Sequence, residues 1–320
     1  MQDFLKKFAY LIAFLPIFYA ACAMVQFTVL RPKTRYVVIS VFAMGGALIG
    51  LLGLLSLAAP NVQDPRTGKL MLVLAAVTFL PLFKSVRLLL GRLTPLDPNS
   101  TVDISGTIVL LWFIVLTGFA IFTTSIADLA GQAQITVSDQ IINVLAYPVI
   151  AFSLVGIFVT RDWRESIKRL GLERPTPRQV GIAVALVVPL LAISIGADAI
   201  GRAVSPGVYE QLQQVLNAMS SHVTNPFIAI IIGLTAGIGE EILFRGAIQP
   251  RFGIAVTALA FAVAHTQYGF SFAIAGVFVT GIVLGYERKT MNTTACIITH
   301  ATYDILALLL AYFAGAGLGG

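Results

Sequence analysis

The chain has 320 residues, of which 58% are hydrophobic and only 11% charged, with a mean hydropathy of +0.90. An ordinary soluble domain carries about 25% charged residues, so this composition excludes a large soluble core and predicts an all-α polytopic membrane protein. The formal charge of +6 matters less than where the cations fall, and no nucleic-acid partner is expected. The two cysteines, Cys22 and Cys296, lie in apolar segments without C-x-x-C spacing, which argues against a disulfide framework.

Ten apolar segments follow one another, at roughly 8–30, 36–59, 70–90, 104–126, 140–160, 179–200, 226–246, 253–267, 270–286 and 292–314. Most reach the ~20 residues that a bilayer requires, which predicts about ten transmembrane helices. The first opens behind Lys6 and Lys7 and contains Ala21-Cys22-Ala23, a pattern resembling a cleaved signal. Its apolar run continues to Leu30, however, which favours a retained helix. In the second, Gly45, Gly46, Gly50 and Gly53 are expected to allow close helix packing.

Between the fifth and sixth segments lies a basic loop, 161–178. Trp163, Ile167 and Leu170 recur at i, i+4 and i+7 with cations between them, as in a short helix on an anionic membrane surface. It stops at Gly171. Thr176-Pro177-Arg178-Gln179 then has the pattern of a capping box with proline at the first helical position, and Asn225-Pro226 opens the seventh segment in the same way. Asp198, near the end of the sixth, is expected at the interface or in an aqueous vestibule. Loop 201–225 reads as a short amphipathic helix through Val215, Met219 and Val223, with His222 at the surface.

Lys and Arg cluster on alternate loops: Arg31, Lys33 and Arg35; Lys84, Arg87 and Arg92; the 161–178 loop; Arg245 and Arg251; Arg288 and Lys289. Lys6, Lys7, Arg66, Lys69 and Arg202 fall on the other side. The bias predicts a plasma or inner-membrane protein with the clusters cytoplasmic and both termini on the opposite side.

The charged residues inside the apolar segments concentrate in the last third. Gly239-Glu240-Glu241-Ile242-Leu243-Phe244-Arg245 sits in an otherwise apolar run, and ionisable residues at membrane depth are a functional signal. On a helix Glu241 and Arg245 share a face, with the acidic member first, and read as a structural pair. Glu240 lies about 100° away and is left free for chemistry. Further on, Phe261 and His265, then His300 and Asp304, are each i and i+4. At 1.5 Å per residue, Glu240 lies ~8–10 Å from the inner end of its span, His300 ~12 Å in from Asn292 and His265 ~18 Å in from Gly253. The three can meet inside the bilayer.

E-E-x-x-x-R, F-x-x-x-H and H-x-x-x-D, in this order on successive helices, resemble the CPBP family of type II CAAX prenyl endopeptidases and bacteriocin-processing or self-immunity proteases. The resemblance is strong from about Asn225 to Ala314, weaker back to about Tyr147, and absent before that. It divides the chain into 1–139, an N-terminal region of about four helices without assigned role, and 140–320, a CAAX-protease-like membrane domain with its catalytic residues on three helices. It implies functional roles for Glu240, His265, His300 and Asp304, with Glu241, Arg245 and Phe261 as motif members. The family's third motif ends in Asn or Asp.

These residue types allow two chemistries. A divalent ion, zinc for instance, could be held by Glu240, His265 and His300 with an open position for water. Alternatively Glu240 and His265 could activate the water without a metal. The substrate expected is a membrane-associated or lipid-anchored peptide or protein, reached from the cytoplasm or laterally. Compact H-E-x-x-H and G-x-S-x-G are absent. Tyr303-Asp304 lacks the G-x-G-D partner of an aspartyl protease, since Gly237-Ile-Gly-Glu240 precedes it and ends in Glu. A transporter or channel lined by the same charges, or a silent scaffold binding a membrane partner, are the competing readings. A transporter built from repeats should show a matching half, and none is visible.

Overall fold

A computed structural model describes residues 2–59, 65–126, 128, 136–221 and 223–317; His222 lies outside the described residues. These are almost wholly helical, with one isolated β-bridge between Ile157 and Arg161. In chain order the helices are α1 (Gln2–Leu30), α2 (Arg35–Ala58), α3 (Arg66–Phe79), α4 (Lys84–Leu93), α5 (Thr101–Thr123), α6 (Val137–Val155), α7 (Trp163–Leu170), α8 (Pro177–Val204) and α9 (Pro206–Ser220). Then come α10 (Pro226–Glu241), a π-helical segment (Ile242–Ile248), α11 (Gln249–Ala264), α12 (Phe272–Thr290) and α13 (Thr293–Gly317).

Among the described residues, seven helical stretches are long and apolar enough to cross a membrane, or up to eight if the bent pair Arg66–Leu82 and Lys84–Leu93 forms one span. The protein is therefore a multi-pass integral membrane protein. The expected ten are reduced at three places. Segment 70–90 is bent by 81°, with the break at Phe83 between α3 and α4. Segments 226–246 and 253–267 lie in one apolar stretch, Pro226–Ala264, which is broken at Gly253 (φ 78°, ψ 175°), the first residue of the second segment. That backbone region is essentially restricted to glycine. Segment 270–286 becomes α12, which carries Glu287, Arg288 and Lys289 in its last turn and does not qualify.

The helix boundaries follow local chemistry. Thr176 and Gln179 form the capping box of α8, with Pro177 in its first turn. Asn225 Oδ1 accepts from Ile228 N at 3.2 Å to start α10. Asp162 and Glu165 form a second capping box, at the start of α7, and Gly171 (φ 68°) ends that helix. Outward side chains such as Leu48, Leu54, Val188 and Ile195 are exposed and apolar, as lipid-facing surfaces are.

Small residues set the close contacts. On α2 and α3, a Cβ placed at Gly53 would meet the Gly68 carbonyl oxygen at 3.0 Å. On α10, a Cβ at Gly237 would lie 2.8 Å from Ala301 N and 3.0 Å from Ala301 Cα. That contact brings α10 and α13 together one turn from Glu241 and one residue from His300. Thr299 lies within 3.1 Å of the Ala183 carbonyl, tying α13 to α8. Contacts also cross residue 139: Gln26 donates to the Leu154 carbonyl at 2.8 Å, and Arg251 is paired with Asp103.

Because the atoms facing Gly237 are backbone, Gly237→Ala must separate α10 from α13. We expect it to cost about 1–3 kcal/mol, read as a lowered unfolding temperature of the detergent-solubilised protein. Gly181→Ala, where nothing lies within 4 Å, should leave that temperature unchanged or raised.

Candidate active site

Glu240 and Glu241 are the last two residues of α10, at the junction with the π segment. The expected α-helix over 226–246 thus ends early, and Arg245 stands on wider π turns. π turns concentrate at functional sites. The i, i+4 pair survives the change: Arg245 Nη1 donates to Glu241 Oε1 at 3.0 Å, with both side chains at most 1% exposed. Glu241 has a second role that the sequence pattern does not contain. His300 Nδ1 approaches the same Oε1 at 2.8 Å from α13. Glu241 is therefore a bridge between two helices and more than the partner of Arg245.

Arg245 also lies under the Phe261 ring, 4.2 Å from its centroid. That ring meets His265 at 4.7 Å and His300 edge-on at 5.8 Å. Phe261, 2% exposed, is a partition: it seals the charged bridge on one side and shapes the imidazole pair on the other.

His265 does not continue the helix that carries Phe261. It ends α11 with non-helical backbone (φ −86°, ψ 55°). Its Nδ1 is 2.8 Å from the Phe261 carbonyl, and a carbonyl only accepts, so Nδ1 carries a proton and, in the neutral imidazole, Nε2 keeps its lone pair. Nε2 stands 3.8 Å from Glu240 Oε2, an oxygen that is buried and has no hydrogen-bond partner among the described residues. Tyr268, in the 3-10 turn after His265, stacks parallel to the imidazole at 6.0 Å. On the other side, His300 Nε2 is 3.4 Å from Asp304 Oδ2.

The sequence-predicted residues therefore form two groups that share the Phe261 wall. Glu240 and His265 make one, and Glu241, Arg245, His300 and Asp304 the other. The expected ligand trio Glu240, His265 and His300 does not assemble as one donor set. Both nitrogens of His300 face carboxylates, Glu241 and Asp304, and among the described residues no group of three His, Cys, Asp or Glu is placed to hold a metal ion. The residues do not fit the three-ligand divalent site.

A cavity of about 170 Å³ begins at His265, His300 and Asp304. It is lined further out by Tyr303, Asp198 and Tyr209. Asp198, 43% exposed, brings the cavity to the surface at the end of α8 opposite the basic loop. The vestibule alternative for this residue is the one the lining favours. Sequence reasoning did not find Tyr209, Tyr268 or Tyr303, because none stands in a polar pattern of its own.

Buried carboxylates and imidazoles are thus gathered inside apolar helices beside a cavity. Residues 222–306 match the family model described as Rce1-like, type II CAAX prenyl endopeptidase Rce1-like, and this match supports a relation to the CAAX-type intramembrane proteases over that stretch. The match includes all three motifs and none of the N-terminal region. No curated protein and no solved structure matches the chain.

Removing one partner of a buried ion pair leaves an uncompensated charge, at about 3–5 kcal/mol. Arg245→Met should destabilise the protein by that order, measured by denaturant unfolding in detergent. Glu241→Gln combined with Arg245→Met should recover part of the loss. A double variant less stable than Arg245→Met would contradict the pairing.

Proposed function

We propose that the protein is an endopeptidase in which Glu240 and His265 activate one water molecule for attack on a peptide bond. The observation that carries this reading is the facing pair of acceptors, Glu240 Oε2 and His265 Nε2, 3.8 Å apart beside the cavity. A water touching both donates one proton to each, and its lone pairs are left for the substrate carbonyl carbon.

As the oxygen adds, Glu240 takes the proton. Charge develops on the carbonyl oxygen, and the hydroxyls of Tyr268 and Tyr303, both lining the cavity, are the donors available to it. Glu240 then returns the proton to the amine nitrogen as the C–N bond breaks. Glu241 holds the Nδ1 side of His300 and so fixes the direction of Nε2. Asp304, close to that nitrogen, orients it and balances its charge. This route uses no metal.

The substrate is a membrane-associated or lipid-anchored peptide or protein. It enters where the cavity meets the surface near Asp198, or laterally beside α8 and α12. The Lys and Arg bias supports an inner or plasma membrane with the 161–178 loop cytoplasmic, which puts the cavity mouth near Asp198 on the other face and replaces the cytoplasmic access expected from the sequence.

Purified protein and Glu240→Gln are compared on a fluorogenic peptide, with circular dichroism as the folding control. The variant should lose about 10²–10⁴-fold in turnover while its spectrum is retained. Equal turnover defeats the reading. Prolonged chelation with EDTA and 1,10-phenanthroline should change the wild-type rate by less than about twofold; restoration of a chelated, inactive enzyme by zinc would replace the metal-free route with a metal-assisted one.

A further inference from the structure

Four arginines, from three helices and the loop before α7, stand around the packed contact of Val155, Leu170 and Ala247. Arg169 donates to the Gly246 carbonyl of the π segment at 3.2 Å. The guanidinium of Arg288, at the end of α12, lies against Gly171, where a Cβ would be 2.4 Å from Nη2. Arg161, at the start of the basic loop, donates to the Val155 carbonyl. Arg251 holds Asp103.

The end of α7 in this contact is firmly placed. Leu170 is fully buried, and its carbonyl accepts from Thr293 Oγ1 at 2.6 Å. Thr293 N also donates to the Gly171 carbonyl at 3.0 Å. Trp163 stacks on Phe152 at 5.0 Å at the other end of α7.

The charges in this cluster do not cancel. Asp103 is the buried anion nearby, and both its oxygens are used: Oδ1 by Arg251 and Oδ2 by Asp97 N at 2.8 Å. Glu165 accepts from Asp162 N at 2.9 Å in the capping box, and its exposed charge also acts on Arg161. Glu173, exposed, faces Arg288 from the loop after α7. Arg161 and Arg169 rest on neutral carbonyls, and Arg288 Nε is buried without a hydrogen-bond partner among the described residues. All four arginines are half-buried, whereas Arg164, Lys168 and Arg174 of the same loop are exposed. Burial, then the neighbouring charges of Arg251, Arg161 and Arg288, pull the Arg169 guanidinium down to about 10. Half-buried cations crowded in this way are stabilised by an anion that presents several oxygens to guanidinium donors.

We propose that Arg161, Arg169, Arg251 and Arg288 form a binding site for a phosphate group at the basic membrane surface of the protein. The position, between helix ends at the level of the interfacial helix α7, suits the headgroup of an anionic phospholipid; a soluble phosphate offers the same oxygens. The site is separate from the proposed hydrolytic centre, and its test needs no turnover.

The full-length protein, delipidated in detergent, is titrated with phosphatidylglycerol, with phosphatidylcholine and with inorganic phosphate. Binding is followed by native mass spectrometry and by the unfolding temperature. Phosphatidylglycerol should be retained and raise the unfolding temperature more than phosphatidylcholine does. Arg169→Gln and Arg288→Gln should each weaken the binding about tenfold, the loss of one charge-assisted contact. Arg174→Gln, an exposed cation outside the cluster, should bind as wild type. Response to phosphatidylglycerol alone assigns a lipid headgroup; a matching response to inorganic phosphate assigns a soluble phosphate; either supports the site. Wild-type affinity in both cluster variants, or an equal loss in Arg174→Gln, would overturn it. Should one cluster variant fail to fold, Arg169→Lys, which keeps the charge and loses the planar fork, must still bind more weakly than wild type.

Discussion

One carboxylate oxygen holds the centre of this protein together. Glu241 Oε1 receives Arg245 from its own helical stretch and His300 from α13, in a place that water does not reach. An isolated charge there would cost several kcal/mol, so the three groups are tolerable only as a set. The Gly237–Ala301 contact exists to let that set close. Phe261 covers it, and the covering ring is what positions the second imidazole.

The consequence is a division of labour between adjacent residues. Glu241 and Glu240 are neighbours in sequence but face different surroundings. Glu241 Oε1 receives donors from two helices, Arg245 and His300, while its Oε2 has no hydrogen-bond partner among the described residues; Glu240 Oε2 also has none and is turned to His265 Nε2. Of two glutamates in a row, one thus joins two helices and the other is turned to His265.

Much of this was legible in the sequence. The Glu241–Arg245 pair follows from i, i+4 spacing, and the capping box of α8, the short helix α7 and its stop at Gly171 follow from residue chemistry within a few positions. What could not be read depends on distance or on backbone geometry. Glu241 meets His300 across 59 residues, which no local period encodes. The π segment over Ile242–Ile248 and the bend at Phe83 are matters of backbone geometry that the spacing of apolar residues does not announce. His265 looks like a mid-helix residue by spacing, yet it is the cap, and that is what fixes its tautomer. The three-ligand metal set failed for a related reason, since spacing says which residues share a face and is silent on which nitrogen a neighbouring carboxylate has already taken.

The account rests on Glu240 and His265 acting on the same water, and that is directly measurable. Turnover is compared for wild type, Glu240→Gln, His265→Ala and the double variant on one peptide substrate. Groups that act as a unit are strongly non-additive, so the double variant should be no slower than the slower single one. Losses that multiply would mean the two residues serve separate steps, and the shared water would have to be abandoned.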